Sequence, residues 1–508
     1  MNLITKIGKS FTYLPLFFQI FAVACSLMLA LAVYGFVISS FREARIFLYS
    51  GLTGFLVFAL INLATSNRNL KESGLTQLIS LLLLFMLLPL FLAFPCWIIL
   101  SDSSFLDSYL DMVGAFTTTG LSVFEDDLLT RPIRLWRAVI AWFGGGLIWI
   151  AAFVILLPAG RSGFDVLSNK NINPNVKRNL TLNERSLTLA KISKKLIPIY
   201  IGLTFFLWCA LIGLGTDGYT SLIRAFSILS TSGLPGPVEF QSDGAGFFGE
   251  FVMAIFLLLA LSHNIFYTFI REFSIKNFKF DKEMRLGLFL VICITILLSF
   301  KDISLISSES NLYDSLVSGL RFIWGNFFTV FSFLTTNGYV SAYWSGVIHS
   351  INMPHITTIL LGLCLFGGGV ATTAGGIKLL RISVLFSAFS KETGKLLHPS
   401  SMAGLSLDNK ILEISVFTAW IFFMLFIVSL AVVTVILAMF GLLFDEALVL
   451  AVACLTTTGP LIEVLGIETS LISELSNFAK VVLALSMVLG RLEILIALSV
   501  MSSALNRD

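Results

Sequence analysis

A succession of long apolar runs is the feature that most constrains how this chain can fold. The runs lie near residues 13–38, 46–64, 75–100, 135–158, 195–215, 247–270, 285–300, 354–390, 411–442 and 474–505. Apolar segments of roughly 20 residues cross a bilayer as helices, because lipid offers no partners for unpaired backbone groups. With 57% hydrophobic and 12% charged residues, the chain is predicted to be an all-α integral membrane protein with the lipid bilayer as its surroundings.

The polar connections alternate in charge. Those near 66–72, 161–195, 271–285 and 391–410 and the two termini hold most of the lysines and arginines, whereas the opposite set holds Asp102, Asp107, Asp111, Glu125, Asp126, Asp127, Asp217, Asp243, Asp445 and Glu446. Positive charge prefers the cytoplasmic side, so both termini are expected to be cytoplasmic. The net charge of +3, without a basic cluster, gives no indication of a nucleic-acid partner.

Four short motifs in the outer connections form an internal repeat, which indicates a repeat architecture. Their glycines, Gly120, Gly233, Gly338 and Gly459, are 113, 105 and 121 residues apart. Each glycine follows a hydroxyl residue, a threonine and a polar residue: Thr117, Thr118 and Thr119; Ser230, Thr231 and Ser232; Thr335, Thr336 and Asn337; Thr456, Thr457 and Thr458. The residue six positions before each glycine is small, and the one before that is bulky and apolar.

Each motif follows a segment compatible with a helix too short to span a bilayer, and two spanning segments flank it. The predicted fold is therefore four pseudo-repeats of helix, re-entrant pore helix, filter and helix around one pore, preceded by two extra transmembrane helices. The predicted units are 1–72 for the extra pair and 73–190, 191–284, 285–410 and 411–508 for the four repeats.

This repeated unit suggests a path for a cation. Non-helical backbone at membrane depth is tolerated only where it is buried or lines a watery path. Glycine lets consecutive carbonyls turn the same way, and four such strands form a ring of oxygens that can replace the water shell of a potassium ion. The hydroxyls can add ligands or brace the strands. Close packing of helices at small residues is the alternative, and four aligned copies favour the pore.

The motifs resemble the Trk/Ktr/HKT superfamily of potassium transporters, in particular the Trk and Ktr membrane subunits, over roughly residues 75–505. The resemblance implies that the motif residues form a selectivity filter, that potassium is the transported ion and the only metal, and that no organic cofactor is bound. Related plant sodium transporters carry serine at the first filter glycine, so Gly120 favours potassium. A sodium-selective or weakly selective pore is the nearest alternative.

The same resemblance implies an inner-membrane location, a homodimer and a separate cytoplasmic nucleotide-binding ring that regulates transport. His398 and Pro399 match a family string in the inner loop where such a ring would dock, although an ordinary solvated turn fits equally. The two leading helices look like the extra pair of the Trk branch. Passive conduction and symport with protons or sodium are both compatible with the sequence.

Pro460 sets the fourth motif apart. Leucine or tyrosine follows the other three glycines, whereas Pro460 follows Gly459. A proline restricts the residue before it to extended conformations. The carbonyl of Gly459 is therefore expected to sit differently from the other three.

A glycine-rich stretch interrupts the apolar run 354–390. Each glycine weakens a helix by roughly 1 kcal/mol relative to alanine, and broken membrane helices mark ion sites or moving parts. The stretch resembles the gating intramembrane loop beneath the filter of Trk and Ktr subunits, which usually have more Gly and Ser where Ala371 and Ala374 stand here. A kink for helix packing is the alternative. The predicted gate residues are Gly367, Gly368, Gly369, Thr372, Thr373, Gly375 and Gly376.

Arg491, near the middle of the last apolar run, is a second predicted gate residue. An unpaired arginine at mid-bilayer costs about 2.5–3.5 kcal/mol, so it is expected to face a pore or a partner. Glu493 points off another helix face. The string from Gly490 to Glu493 resembles a family motif in which the arginine forms an electrostatic barrier below the filter. A structural anchor for the broken helix is the alternative.

Other patterns argue against enzymatic function. The six cysteines lack CxxC spacing and are predicted to be small core residues. A GxGxxG string at 213–218 ends an apolar helix instead of opening one, so it does not indicate a dinucleotide site. An intramembrane enzyme would need converging catalytic groups, and the chain has no GxSG, no HExxH and no paired mid-helix aspartates.

Overall fold

The computed structural model describes residues 16–65, 74–100, 103–152, 182–234, 246–262, 282–306, 312–344, 354–370, 372–397, 407–467 and 469–492. Over these ranges the secondary structure is helical, without strands. The α-helices are α1 (Leu16–Val37), α2 (Phe41–Thr65), α3 (Gly74–Ile99), α4 (Phe105–Phe116), α5 (Arg131–Ala151), α6 (Leu182–Gly213), α7 (Gly218–Ser230), α8 (Gly246–Leu257), α9 (Lys282–Ile306), α10 (Leu312–Leu334), α11 (Pro354–Phe366), α12 (Leu379–Leu397), α13 (Leu407–Met439), α14 (Phe444–Thr456), α15 (Leu461–Val464), α16 (Thr469–Glu474) and α17 (Asn477–Leu492).

Within the described ranges, seven helices are long and apolar enough to cross a membrane, namely α1, α2, α3, α5, α6, α9 and α13. The prediction of an all-helical chain with several membrane-length apolar helices is confirmed. The predicted run 354–390 consists of α11 and α12 with a non-helical stretch between them. Four cysteines are buried as expected, whereas Cys209 and Cys293 are exposed, so the core interpretation is wrong for these two.

In three of the short helices a polar side chain caps the first turn. The Ser104 hydroxyl accepts from the Asp107 N–H at 3.1 Å before α4, and the Asp217 carboxylate accepts from the Tyr219 N–H at 3.2 Å before α7. At α14 the Glu446 carboxylate accepts from the Leu443 N–H at 3.1 Å. Such bonds satisfy N–H groups that the first helical turn leaves unpaired.

The third re-entrant segment differs from the expectation of a short helix. α10 has 23 residues, against 12 for α4 and 13 each for α7 and α14. No proline interrupts its first turns, and polar residues such as Asp314 continue the helix instead of ending it.

Three of the predicted unit boundaries fall inside helices. The boundaries at 190, 284 and 410 lie within α6, α9 and α13. The apolar runs end near these positions, but charged residues such as Glu184, Glu283 and Lys410 extend the helices past them. Helices start earlier than hydropathy alone suggests.

The helices pack in a cyclic order. Each of α4, α7, α10 and α14 packs against the long helix before it, α3, α6, α9 and α13 respectively. The helix that follows each motif packs against the next short helix: α5 against α7, α8 against α10, α11 against α14, and α17 against α4. The last contact returns to the first unit, while the hairpin of α1 and α2 packs on α3.

Candidate functional site

The four motifs lie at the C-terminal ends of α4, α7, α10 and α14, and all their residues are buried. The first hydroxyl of each motif donates to the carbonyl four residues earlier, in the pairs Thr117 to Val113 (2.7 Å), Ser230 to Phe226 (2.8 Å), Thr335 to Phe331 (2.9 Å) and Thr456 to Val452 (2.8 Å). In the first and third motifs the same carbonyls also accept the backbone N–H of Thr117 and Thr335, at 2.8 and 3.0 Å. The first hydroxyl therefore folds back against the last turn of its own helix.

The second residue of each motif adopts left-handed backbone. The φ angles of Thr118, Thr231, Thr336 and Thr457 are +56°, +51°, +57° and +56°. A β-branched residue rarely adopts this conformation, which costs about 1–3 kcal/mol and persists only where the surroundings enforce it.

A helix cap holds the second residue of each motif in this left-handed conformation. The N–H of the third motif residue returns to the carbonyl of the small residue six positions before the glycine, as in Thr119 to Gly114 at 2.8 Å and Ser232 to Ser227 at 3.0 Å. This is a left-handed helix cap, and the third and fourth motifs repeat it at 2.9 and 2.8 Å.

The motifs contact one another in chain order and close into a ring. A methyl group on any of the four glycines would meet the backbone or side chain of the neighbouring strand. The pairs are Gly120 and Ser232, Gly233 and Asn337, Gly338 and Pro460, and Gly459 and Leu121. The sequence-predicted motif residues are thus brought together at one place.

The fourth strand departs from the other three. Gly120, Gly233 and Gly338 have φ of +68°, +64° and +80°, whereas Gly459 is not in the left-handed region. Its N–H donates to the carbonyl oxygen of Thr119 at 2.6 Å. The glycine that departs is the one before Pro460, where the sequence predicts an altered strand.

Some polar atoms of the ring have no hydrogen-bond partner within the described ranges. They are the hydroxyls of Thr118 and Thr457 and both ends of the Asn337 amide. The other two threonines at the second position are engaged: Thr231 donates to the Ser230 carbonyl at 2.8 Å, and Thr336 accepts from Gly375. Buried polar groups without partners call for a functional explanation.

The glycine-rich segment 367–378 lies against this ring. The N–H of Gly375 donates to the Thr336 hydroxyl at 2.8 Å, and a methyl group on Gly375 would overlap the Thr456 carbonyl. The Thr373 hydroxyl donates to the Leu229 carbonyl of α7 at 3.4 Å. The segment therefore contacts α7 and the third and fourth motifs.

The same segment is held from the other side by the short 3-10 turn Leu258–Ala260 that follows α8, and internally by the Thr372 hydroxyl. The Gly369 N–H donates to the Ala260 carbonyl at 2.9 Å, and the Thr372 hydroxyl donates to the Gly369 carbonyl at 2.7 Å. The backbones of Gly367 and Gly376 approach closely, and both adopt left-handed backbone with φ of +69° and +76°. A side chain at either position would separate the two ends of the segment.

Arg491 in α17 reaches the glycine-rich segment. One guanidinium nitrogen donates to the Thr373 carbonyl, and the side chain is buried. A methyl group on Gly490 would overlap the Leu455 carbonyl, so α17 lies against the end of α14 here. Glu493, Ala371, His398 and Pro399 lie outside the described residues.

Sequence reasoning missed a set of buried charges around the short helices. Arg137 pairs with Asp111 at 2.9 Å, and Lys480 pairs with Asp107 at 2.5 Å. Both aspartates had been grouped with the acidic outer connections, yet both are buried. Arg224 and Glu250, each 1% exposed, attract each other.

Known proteins with similar sequences are transporters. The family described as TrkH, cation transport protein, matches residues 86–507. The Trk system potassium uptake protein TrkH of Salmonella typhimurium is 28% identical over 409 residues, which are 76% of this chain and 77% of that protein. TrkG of Escherichia coli, another Trk system potassium uptake protein, is 27% identical over 445 residues, 84% of this chain and 85% of that protein.

A solved structure shares the fold. The crystal structure of the potassium transporter TrkH from Vibrio parahaemolyticus aligns with a TM-score of 0.74 and 22% identity, and covers 96% of this chain and 97% of that one. The matched family consists of transport proteins and not of enzymes. The chain belongs to the TrkH family of cation transport proteins.

Proposed function

We propose that this protein takes up potassium across the cytoplasmic membrane through the ring of four motifs, which acts as a selectivity filter. The observation that carries the proposal is the cyclic contact of the motifs, each with a left-handed threonine followed by a polar residue and a glycine. Alternation of left- and right-handed residues turns successive carbonyls to one side, and a ring of such oxygens replaces the hydration shell of potassium.

The surroundings of the ring suit a cation. Four helices end at the motifs, and the C-terminal end of a helix carries partial negative charge. The free hydroxyls of Thr118 and Thr457 and the amide oxygen of Asn337 add oxygen ligands. The bond from Gly459 to Thr119 occupies one carbonyl, so the ring is asymmetric at that level.

The segment 367–378 is the gate in this proposal, with Gly367, Gly368, Gly369, Thr372, Thr373, Gly375 and Gly376 as its residues and Arg491 as its contact on α17. Its support is the set of bonds to Thr336, Leu229 and Ala260. The contact of Arg491 with the Thr373 carbonyl is compatible with an anchor, and its buried charge is compatible with a barrier to cations.

The remaining features of the proposal rest on the names of the relatives for the cargo, and on the resemblance of the motifs and the charge pattern for the rest. Two relatives are potassium uptake proteins by name, which supports potassium as cargo. The homodimer, the cytoplasmic nucleotide-binding ring, the cytoplasmic termini and the arrangement of four pseudo-repeats with two extra helices belong to the same proposal.

The test is uptake of radioactive rubidium into liposomes that contain the purified protein. We expect uptake that excess potassium suppresses and excess sodium does not. Equal suppression by sodium would favour the second candidate, a weakly selective cation pore. Imposed gradients of protons or sodium separate symport from passive conduction, because only symport responds to them beyond their effect on membrane potential.

A further inference from the structure

Two buried charge pairs occupy equivalent positions in the first and second units, with their signs exchanged. Asp111 lies nine residues before Gly120, and Arg137 lies seventeen after it. Arg224 lies nine residues before Gly233, and Glu250 lies seventeen after it. The acid stands on the short helix in the first unit and on the following helix in the second.

The first pair holds the strand that leaves its own glycine. The Asp111 carboxylate pairs with the Arg137 guanidinium at 2.9 Å. Arg137 donates to the carbonyl of Leu121 and to the hydroxyl of Ser122, both at 3.4 Å. Leu121 and Ser122, the two residues after Gly120, are therefore held by the guanidinium that pairs with Asp111.

The second pair holds the strand that leaves the third glycine. The Glu250 carboxylate accepts from the Ser341 hydroxyl and from the Ala342 N–H, each at 2.8 Å. It also accepts from the indole N–H of Trp324 on α10 at 2.8 Å. Arg224 on α7 is near enough for its positive charge to act on this carboxylate.

In the third unit a hydroxyl stands at the first of the two positions. Thr329 lies nine residues before Gly338, and its hydroxyl accepts from the N–H of Ser341, three residues after that glycine. Asp111 stands at the same offset before Gly120. The fourth unit has Leu450 and Ser476 at the two positions, so it has no such pair.

We propose that Asp111–Arg137 and Arg224–Glu250 are sign-inverted copies of one brace, which positions the strands leaving the filter glycines and thereby sets the preference for potassium over sodium. The inference rests on the proposed function. Buried ion pairs add little net stability, because desolvation offsets their attraction, and their better-attested use is to fix geometry. These four side chains are positioning residues, since they act on an ion through the strands.

The test compares two double variants in liposomes with the wild-type chain. D111N/R137Q removes both charges and leaves similar volumes. D111R/R137E gives the first unit the residue types of the second. We expect the neutral pair to lower the ratio of rubidium to sodium uptake by about fivefold, and the exchanged pair to regain most of that ratio.

The matched control is D107N/K480Q, which removes a different ion pair from the same helix α4, one that does not touch the strands. Its selectivity is expected to stay at the wild-type value. A ratio lowered as much as in D111N/R137Q would overturn the brace, and so would a wild-type ratio in D111N/R137Q. An exchanged pair that does not fold, or that folds without regaining selectivity, would refute the sign-inverted copies.

E250Q provides a second measurement, because it exchanges one acceptor oxygen for an amide and preserves volume. A lowered ratio supports the brace in the second unit, and an unchanged ratio contradicts it. The wild-type chain separates the two proposals. If it does not distinguish rubidium from sodium, the proposed function fails; if it does and the variants match it, only the brace fails.

Discussion

The backbone N–H of Gly375 donates a hydrogen bond to the side-chain hydroxyl of Thr336 at 2.8 Å, which joins the glycine-rich segment directly to the third strand of the ring. At the equivalent position of the first and fourth strands, the Thr118 and Thr457 hydroxyls have no partner within the described ranges. The segment thus provides the Thr336 hydroxyl with a hydrogen-bond donor, which the equivalent hydroxyls of Thr118 and Thr457 lack within the described ranges. Withdrawal of the segment would free it to face an ion.

Thr336→Val is expected to raise basal rubidium uptake about tenfold, because a buried N–H left without its acceptor costs about 1–3 kcal/mol and favours withdrawal of the segment. The matched control is Thr118→Val, which removes a hydroxyl that has no such partner. It is expected to weaken ion affinity without raising basal uptake. Equal basal uptake in the two variants would count against the coupling of segment and strand.

Gly375→Ala is expected to raise basal uptake, because the added methyl group would overlap the Thr456 carbonyl and displace the segment. The contact is with backbone, which relaxes little. The control is Gly394→Ala in α12, where a methyl group meets nothing within 4 Å. Uptake that stays at the wild-type level in Gly375→Ala, with equal protein in the liposomes, would contradict a gate at this position.

Gly120→Ser is expected to reduce the preference for potassium over sodium by about tenfold, equivalent to about 1.4 kcal/mol of discrimination. The serine side chain would overlap the Ser232 carbonyl at a φ of +68°. Gly215→Ser is the control, because Gly215 has a φ of +98° but open space around it. Rubidium and sodium fluxes give the ratio, and an unchanged ratio in Gly120→Ser would refute the filter assignment.

Arg491→Ala is expected to raise basal uptake about tenfold or more, since a hydrogen bond from a charged group contributes about 1.5–3 kcal/mol and this one holds the Thr373 carbonyl. Arg491→Lys separates the two roles. Lysine keeps the charge but loses the planar donor fork, so low uptake in this variant favours the barrier and high uptake favours the anchor. Reduced uptake in Arg491→Ala with intact protein would indicate that the side chain mainly supports the fold.

Much of the ring was readable from the sequence, because its local rules repeat. A hydroxyl folds back on the last turn of each helix, as that of Thr117 does, and a small residue stands where the cap returns, as at Gly114. Both residue types recur at fixed offsets from each glycine. Alignment of the sequence on the glycines therefore reveals them without any knowledge of the fold.

The buried pairs were not readable in the same way. Asp111 and Arg137 are 26 residues apart and meet only because α4 packs against α5. Its negative charge alone predicts that Asp111 is one of the acidic residues of the outer connections. A comparison of the four units at equal offsets would have found opposite charges in two of them. The length of α10 was not predicted for a different reason. Hydropathy detects apolar runs, and it does not detect polar turns that remain helical.

The hydrogen bond from Gly459 to Thr119 joins residues that are 340 positions apart. During synthesis the first strand is therefore made long before the strand that completes its surroundings. Until the fourth strand is made, the hydroxyls and carbonyls of the first strand are exposed to lipid or water. Partly folded chains with such exposed groups are prone to misassembly. The ring can therefore assemble only after nearly the whole chain has been made. Ribosome-bound chains that stop short of the fourth motif should remain open to cleavage by protease and to binding by insertion chaperones.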